Sequence, residues 1–256
     1  MTNDLNFKLL RAEKLASEII EKYGIDSPEH LRVRDIAFEE KATVVEEKIA
    51  RAAASIVRTG EYATIRVPPT DTPERKRFSI AHEVGHLKMG HIQTVQRICT
   101  QGDMRTWHKS NQETEANFFA SEMILPTKLV HKRCDVPSVN FEPIKSIAKD
   151  FRSSLTATAI KFVRLCPEKC AVVYSVKGKI LWFYKSSDWW PYIPKDVELD
   201  KRTIAYDFFK GESIPDEPEE IDADAWIDPR GLDEIVEHSI GSRTYNFVLS
   251  ILWIKP

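Results

Sequence analysis

Residues 78–91 read FSIAHEVGHLKMGH, with His82, Glu83 and His86 in the order H-E-x-x-H. On a helix each residue advances about 100°, so His82 and His86 stand one above the other on the same face. Two imidazoles at that spacing can take adjacent corners of a tetrahedral zinc site. Glu83 is turned about 100° from His82 and can sit beside such a metal without binding it, as a base for a metal-activated water. The alternative is three polar residues that share a helix and are satisfied structurally. The surrounding Phe78, Ile80, Ala81, Val84 and Leu87 predict a largely buried helix, where histidines and a glutamate are costly unless paired or metal-bound. Gly85 lies in that helix interior, where glycine costs up to about 1 kcal/mol against alanine. A close approach by another backbone or a substrate would explain it.

A catalytic zinc takes three protein ligands and keeps one position open. The next helical stretch, QETEANFFASEMILP, offers Glu113 and Glu115, about 200° apart around its axis, so only one can face inward. Ala116, Asn117, Ala120 and Ile124 share the Glu113 side, and small residues there permit close packing. Glu113 is therefore the expected third ligand, with Glu115 as the fallback. Asn117 is placed one turn on, where it could hydrogen-bond a ligating histidine or be a simple buried amide.

The elements that must hold these residues are legible in outline. Apolar residues recur helically from Phe7 to Tyr23, and Gly24 is a natural stop. HLRVRDIAFEE predicts a second helix, TVVEE a strand, and EYATIRVPP a half-buried strand ended by Pro68 and Pro69. Thr72-Pro73 is a capped start for the H-E-x-x-H helix, which should stop near Gly90. A polar connection spans 93–111, and Pro126 closes the helix after it. EPIKSIAKDFRSSLTATAIKFVRL holds two helical patterns separated by RSS. AVVYSVKGKILWFY reads as a hairpin, ESIPDEPEEIDADAWIDPRGLDE as an exposed acidic stretch, and YNFVLSILWIKP as a buried terminal strand. Helices, a strand pair, helices and a β-rich end make the class α+β.

Bulk properties exclude several function classes. With 256 residues, 42% of them hydrophobic, the chain can bury a large core. A net charge of -2 gives no global attraction to nucleic acid or anionic membranes. The charged start is not a signal peptide, and no apolar run is long enough to span a bilayer. Cys99, Cys134, Cys166 and Cys170 are too scattered for a disulfide framework. The expectation is a cytoplasmic protein with reduced thiols.

The stretch RFSIAHEVGHL followed by ETEANFFASEMILP resembles the ImmA/IrrE family of bacterial zinc metallopeptidases. There, R-F-x-x-A-H-E-x-x-H is followed by E-x-x-A-N-x-F-A-x-x-L-x-x-P. Arg77, Phe78, His82, Glu83, His86, Asn117, Ala120 and Pro126 match by position, and Glu113 falls where the family has its glutamate. Met123 replaces a usual leucine at similar volume. The resemblance implies a zincin-like core with His82, His86 and Glu113 holding Zn2+ and Glu83 as catalytic base. It further implies regulatory proteolysis, the partner being a helix-turn-helix repressor of a mobile element, toxin–antitoxin or stress-response operon. The competing expectation is a DNA- or partner-binding regulator with a structural or vestigial metal site.

The expected division is a metallopeptidase core over 1–135, a helix-turn-helix-like segment over 136–168, and a β-rich sensing or target-recognition region over 169–256. Lys145, Lys149, Arg152, Lys161 and Arg164 make the middle segment basic, so a nucleic-acid contact is conceivable but not favoured over simple packing. Zincin-type enzymes commonly bind substrate as an added strand, and EYATIRV is the candidate edge for it. His91, His108 and Tyr62 are within conceivable reach of the metal, each with a structural or surface role as the simpler reading. Cys166-Pro-Glu-Lys-Cys170 reads as a loop rather than a zinc ribbon. LWFYKSSDWWPYIP is expected to supply core and one exposed patch.

Overall fold

Local signals in the chain become eight helices and two sheets among the described residues of a computed structural model. It describes residues 2–49, 53–92, 96–99 and 112–256, with 2–6 and 96–99 given by their backbone alone. Two compact units divide the chain: residues 1–129 with 148–154, and residues 130–147 with 155–256.

The first unit begins with α1 (Thr2–Lys22) and α2 (Val33–Glu39), followed by β1 (Ala42–Glu46), β2 (Ala54–Thr59) and β3 (Tyr62–Val67). Then come α3 (Pro73–Lys88), β4 (Gln96–Cys99) and α4 (Gln112–Ile124). Its sheet has the order β1-β3-β2-β4, with β1 parallel to β3 and the other pairs antiparallel. Alternation buries Ala63, Ile65 and Val67 as expected, but β3 lies inside the sheet, hydrogen-bonded on both sides. EYATIRV is therefore not a free edge for substrate; β1 and β4 are the outer strands. A period of two reports which face a strand buries and says nothing about its neighbours.

α3 starts where its cap predicts: Thr72 Oγ1 accepts from Arg75 N at 3.3 Å, and Pro73 needs no donor in the first turn. The helix packs on β2 and β3 and against α4, which packs in turn on α1. Covered from several sides, α3 buries every residue from Ser79 to His86. Arg77 secures it further, donating to Leu31 O at 3.0 Å and Phe151 O at 3.3 Å.

The C-terminal ends of α1, α2 and α3 meet at the buried Glu40 carboxylate. It accepts from Lys22 Nζ at 2.8 Å, Tyr23 Oη at 2.7 Å and Lys88 Nζ at 2.5 Å. Burial alone would push this carboxyl up, but the three hydrogen bonds outweigh it and hold Glu40 at about 2, against 4.5 unperturbed. A depressed carboxylate stabilises the fold above its unfolded pKa and loses that contribution as pH falls toward its folded one. Glu40→Gln should thus cost about 2 kcal/mol at pH 7, a figure tempered by the exposure of both lysines. The gap to wild type should stay constant down to about pH 4.5 and narrow below it. Urea unfolding of both proteins, with chelator present throughout, measures this. A gap that did not narrow in acid would remove Glu40 as its source.

The second unit holds α7 (Leu155–Leu165) and a five-stranded antiparallel sheet of order β6-β5-β9-β8-β7. Its strands are β5 (Cys170–Val176), β6 (Lys179–Lys185), β7 (Glu219–Asp222), β8 (Glu234–Ser242) and β9 (Phe247–Trp253). The short α5 (Thr127–Val130) and α6 (Phe141–Phe151) each carry the division between units within them. The predicted hairpin forms through Lys177-Gly178, both at positive φ, as a two-residue turn between twisted strands requires. One sheet face buries Ala171, Val173 and Leu252 with Trp189, Trp226 and Phe208, the last from α8 (Ile204–Lys210). Glu237, fully buried on β8, accepts from Ile204 N and Ala205 N at the start of α8, and from Trp226 Nε1 and Ser239 Oγ. Burial pushes its carboxyl up, and these donors oppose the rise without cancelling it.

Cys134, Cys166 and Cys170 are free and buried in this unit, and burial pushes the Cys134 thiol up to about 12. The 166–170 segment joins α7 to β5. In the aromatic run Trp189 is core, while Leu181, Trp190 and Tyr192 are exposed. The acidic stretch is loop for most of its length and includes β7. No helix among the described residues is long and apolar enough to cross a membrane.

Candidate metal centre

The sequence brings three candidate ligands to one point. His82 and His86 project from successive turns of α3, and Glu113 reaches them from the first turn of α4. His82 Nε2 lies 3.0 Å from His86 Nε2 and 3.1 Å from Glu113 Oε2, and His86 Nε2 lies 3.5 Å from the same oxygen. Ligands at zinc distances of about 2.0–2.1 Å on tetrahedral corners would stand roughly 3.3 Å from one another. The observed triangle has that size.

Proton bookkeeping on the imidazoles tells whether these atoms are donors to a metal. His82 Nδ1 faces Asn117 Oδ1 at 3.0 Å, and an amide oxygen only accepts. His82 therefore carries its proton on Nδ1 and turns a lone pair on Nε2 toward the triangle. His86 Nδ1 stands 3.0 Å from His91 Nδ1, so its outer nitrogen is likewise engaged away from the triangle. With the His86 proton also on Nδ1, two nitrogen lone pairs and a carboxylate oxygen converge at 3.0–3.5 Å and repel one another unless a proton or a metal cation lies among them. Two imidazoles and one carboxylate are a donor set that could hold a metal ion and that suits zinc.

Glu83 is fully buried on α3, one residue on from His82, and is not one of the three convergent groups. Glu115 points elsewhere on α4, as the helical angle requires, and its Oε2 lies 3.4 Å from His91 Nε2. His91 sits behind His86. Tyr62 is exposed at the head of β3; His108 lies outside the described residues, as does the predicted polar connection except where it forms β4.

His91 owes its position to how α3 ends. Gly90, at φ +73°, occupies the left-handed position just past the cap. Gly90 N donates to Leu87 O at 3.3 Å, and His91 N donates to His86 O at 3.0 Å. This pair of bonds is the Schellman ending, which folds the second residue past the cap back onto the helix's last turn. The signal was present in the sequence as Gly-His after the helix. It identifies His91 as a neighbour of His86, a pairing that spacing along the chain alone did not suggest.

Gly85 owes its tolerance to α4, though to a side chain rather than to a backbone or a substrate. A Cβ at this position would meet Phe119 Cδ1, Cγ and Cβ at 3.0–3.2 Å.

Residues 39–162 match the Peptidase M78 family model, described as the IrrE N-terminal-like domain. That family is one of peptidases, typically metal-dependent. Among curated proteins no match is found. Among solved structures the chain is similar to a Mycobacterium tuberculosis transcriptional regulator, with a TM-score of 0.56 at 12% identity. The similarity covers 95% of this chain and 76% of that one, and at this identity it speaks to the fold alone. Residues 39–162, which hold the convergent His82, His86 and Glu113, carry an IrrE N-terminal-like domain, in keeping with the family that the motif from Arg77 to Pro126 resembles.

Proposed function

We propose that the chain is a zinc-dependent endopeptidase that cuts one regulatory protein, a helix-turn-helix repressor of a mobile element, toxin–antitoxin or stress-response operon, in the cytoplasm. The observation that carries this reading is the convergence of His82, His86 and Glu113 with a buried Glu83 on the same helix. When bound, Zn2+ would polarise the scissile carbonyl and make a water at its open corner acidic. Glu83 takes the proton from the attacking water and delivers it to the departing amine. Asn117 keeps the His82 proton on Nδ1, so that Nε2 stays available as a ligand. Residues 1–135 are the catalytic core in this reading, 136–168 a helical segment and 169–256 the part that senses a signal or recognises the target.

A second reading, a DNA- or partner-binding regulator with a structural metal site, is motivated by the structural neighbour's name. It is less well supported. A structural zinc needs no base such as Glu83, and none of the eleven residues of α7 is exposed, which leaves that helix no free face for a DNA groove. Of the five basic residues in this segment, Lys161 is itself buried.

Incubating the full chain with repressors encoded beside its gene, with and without a chelator, tests the proposal. Defined repressor fragments are expected only in the zinc-replete sample. Intact repressor in both samples, with zinc bound, would favour the second reading.

A further inference from the structure

His86 is the ligand whose outer nitrogen meets another titratable ring, and that ring meets a carboxylate. We infer that Glu115 and His91 act together as positioning residues that hold His86 in its metal-binding tautomer. The inference rests on the metal-site reading above and extends it to two residues that do not themselves touch the metal.

Glu115 Oε2, 3.4 Å from His91 Nε2, can only accept, so it favours the proton of a neutral His91 on Nε2. His91 Nδ1 is then an acceptor. Its partner at 3.0 Å, His86 Nδ1, must be the donor, which leaves the lone pair of His86 on Nε2. That nitrogen is the one in the triangle with His82 and Glu113. Reversing any link would put a proton on the His86 atom that must bind the cation.

Carboxylate, histidine, histidine and metal thus form a chain one ring longer than the usual carboxylate–histidine–metal arrangement. The Glu115 charge makes His91 Nδ1 a stronger acceptor and, through it, His86 Nε2 a more basic ligand. His82 has a different support, the neutral amide of Asn117. The geometry is built into the fold at both ends. The Schellman ending of α3 sets His91 over His86, and Glu115 stands on α4 two residues from the ligand Glu113.

The test is zinc affinity of the full-length chain, stripped of metal and titrated with Zn2+ against a chromophoric chelator. His91→Leu should weaken binding about 10- to 100-fold, the usual range for losing such a support. His91→Asn, whose side-chain oxygen can replace Nδ1 as acceptor, should recover to within a few-fold of wild type. Glu115→Gln should lose roughly 3- to 10-fold, at the lower end of that range because His91 remains. Recovery by asparagine separates positioning from packing, since asparagine fills the space no better than leucine. Should His91→Leu not fold, Glu115→Gln and His91→Asn decide. Wild-type affinity in both His91→Leu and Glu115→Gln, or an asparagine variant as weak as the leucine one, would overturn the inference. His86→Ala is the separate control: if it binds zinc like wild type, or wild type takes up none, the metal-site reading fails and the relay falls with it.

Discussion

Glu83→Gln should abolish peptide hydrolysis while the zinc content of the protein stays that of wild type. Glutamine keeps the size of the side chain in a fully buried position but cannot take a proton. A general base of this kind accounts for roughly 10²- to 10⁴-fold in rate, so turnover should drop at least into that range. Glu83 lies outside the trio of His82, His86 and Glu113, which is why metal retention is expected. His86→Ala is the opposite case. It removes one of the three proposed ligand atoms and leaves two that cannot close a stable site, so metal and activity should disappear together. Zinc analysis beside a cleavage assay on both variants separates the roles. If Glu83→Gln also lost its zinc, Glu83 would be part of the ligand set or of its support, and the assignment of base would be wrong.

How far the sequence discloses this site depends on how local each determinant is. The cap at Thr72 follows from a hydroxyl placed before a proline, the face shared by His82 and His86 and the turn of Glu113 away from Glu115 follow from one helical period, and the structure shows each. Sheet neighbours do not follow in this way. β1 pairs with β3 across the intervening β2, and the alanine-rich stretch that becomes β2 carries no strong alternating pattern. EYATIRV is not an edge for that reason: its alternation reports the face that β3 buries, while its position in the sheet depends on contacts distant in sequence. His91 lies between these cases. Its contact with His86 is local, but it arises from a left-handed glycine after the helix rather than from helical spacing. The interior placement of Lys161 on α7 was illegible too, since a lysine in a basic segment is ordinarily read as solvated.

Gly85→Val should destabilise the first unit and weaken zinc binding by 10-fold or more, because this glycine sets how closely α3 and α4 approach. The first added carbon already meets the Phe119 ring and its Cβ at 3.0–3.2 Å, and Phe119 is fully buried with nowhere to yield cheaply. Gly85→Ala is a contest of comparable terms: up to about 1 kcal/mol gained in helix propensity against about 1–3 kcal/mol of overpacking. Valine adds two more methyl groups to the same contact and gains less from propensity, so overpacking wins. Relief can come from α4 moving outward, and α4 carries Glu113. Its carboxylate oxygen stands only 3.1 Å and 3.5 Å from the two imidazole nitrogens, so a shift of even 1 Å opens the ligand triangle. Urea unfolding with chelator present reads the packing cost, and zinc titration of the folded protein reads the opening. A valine variant that binds zinc like wild type would show that the spacing of these two helices does not govern the site.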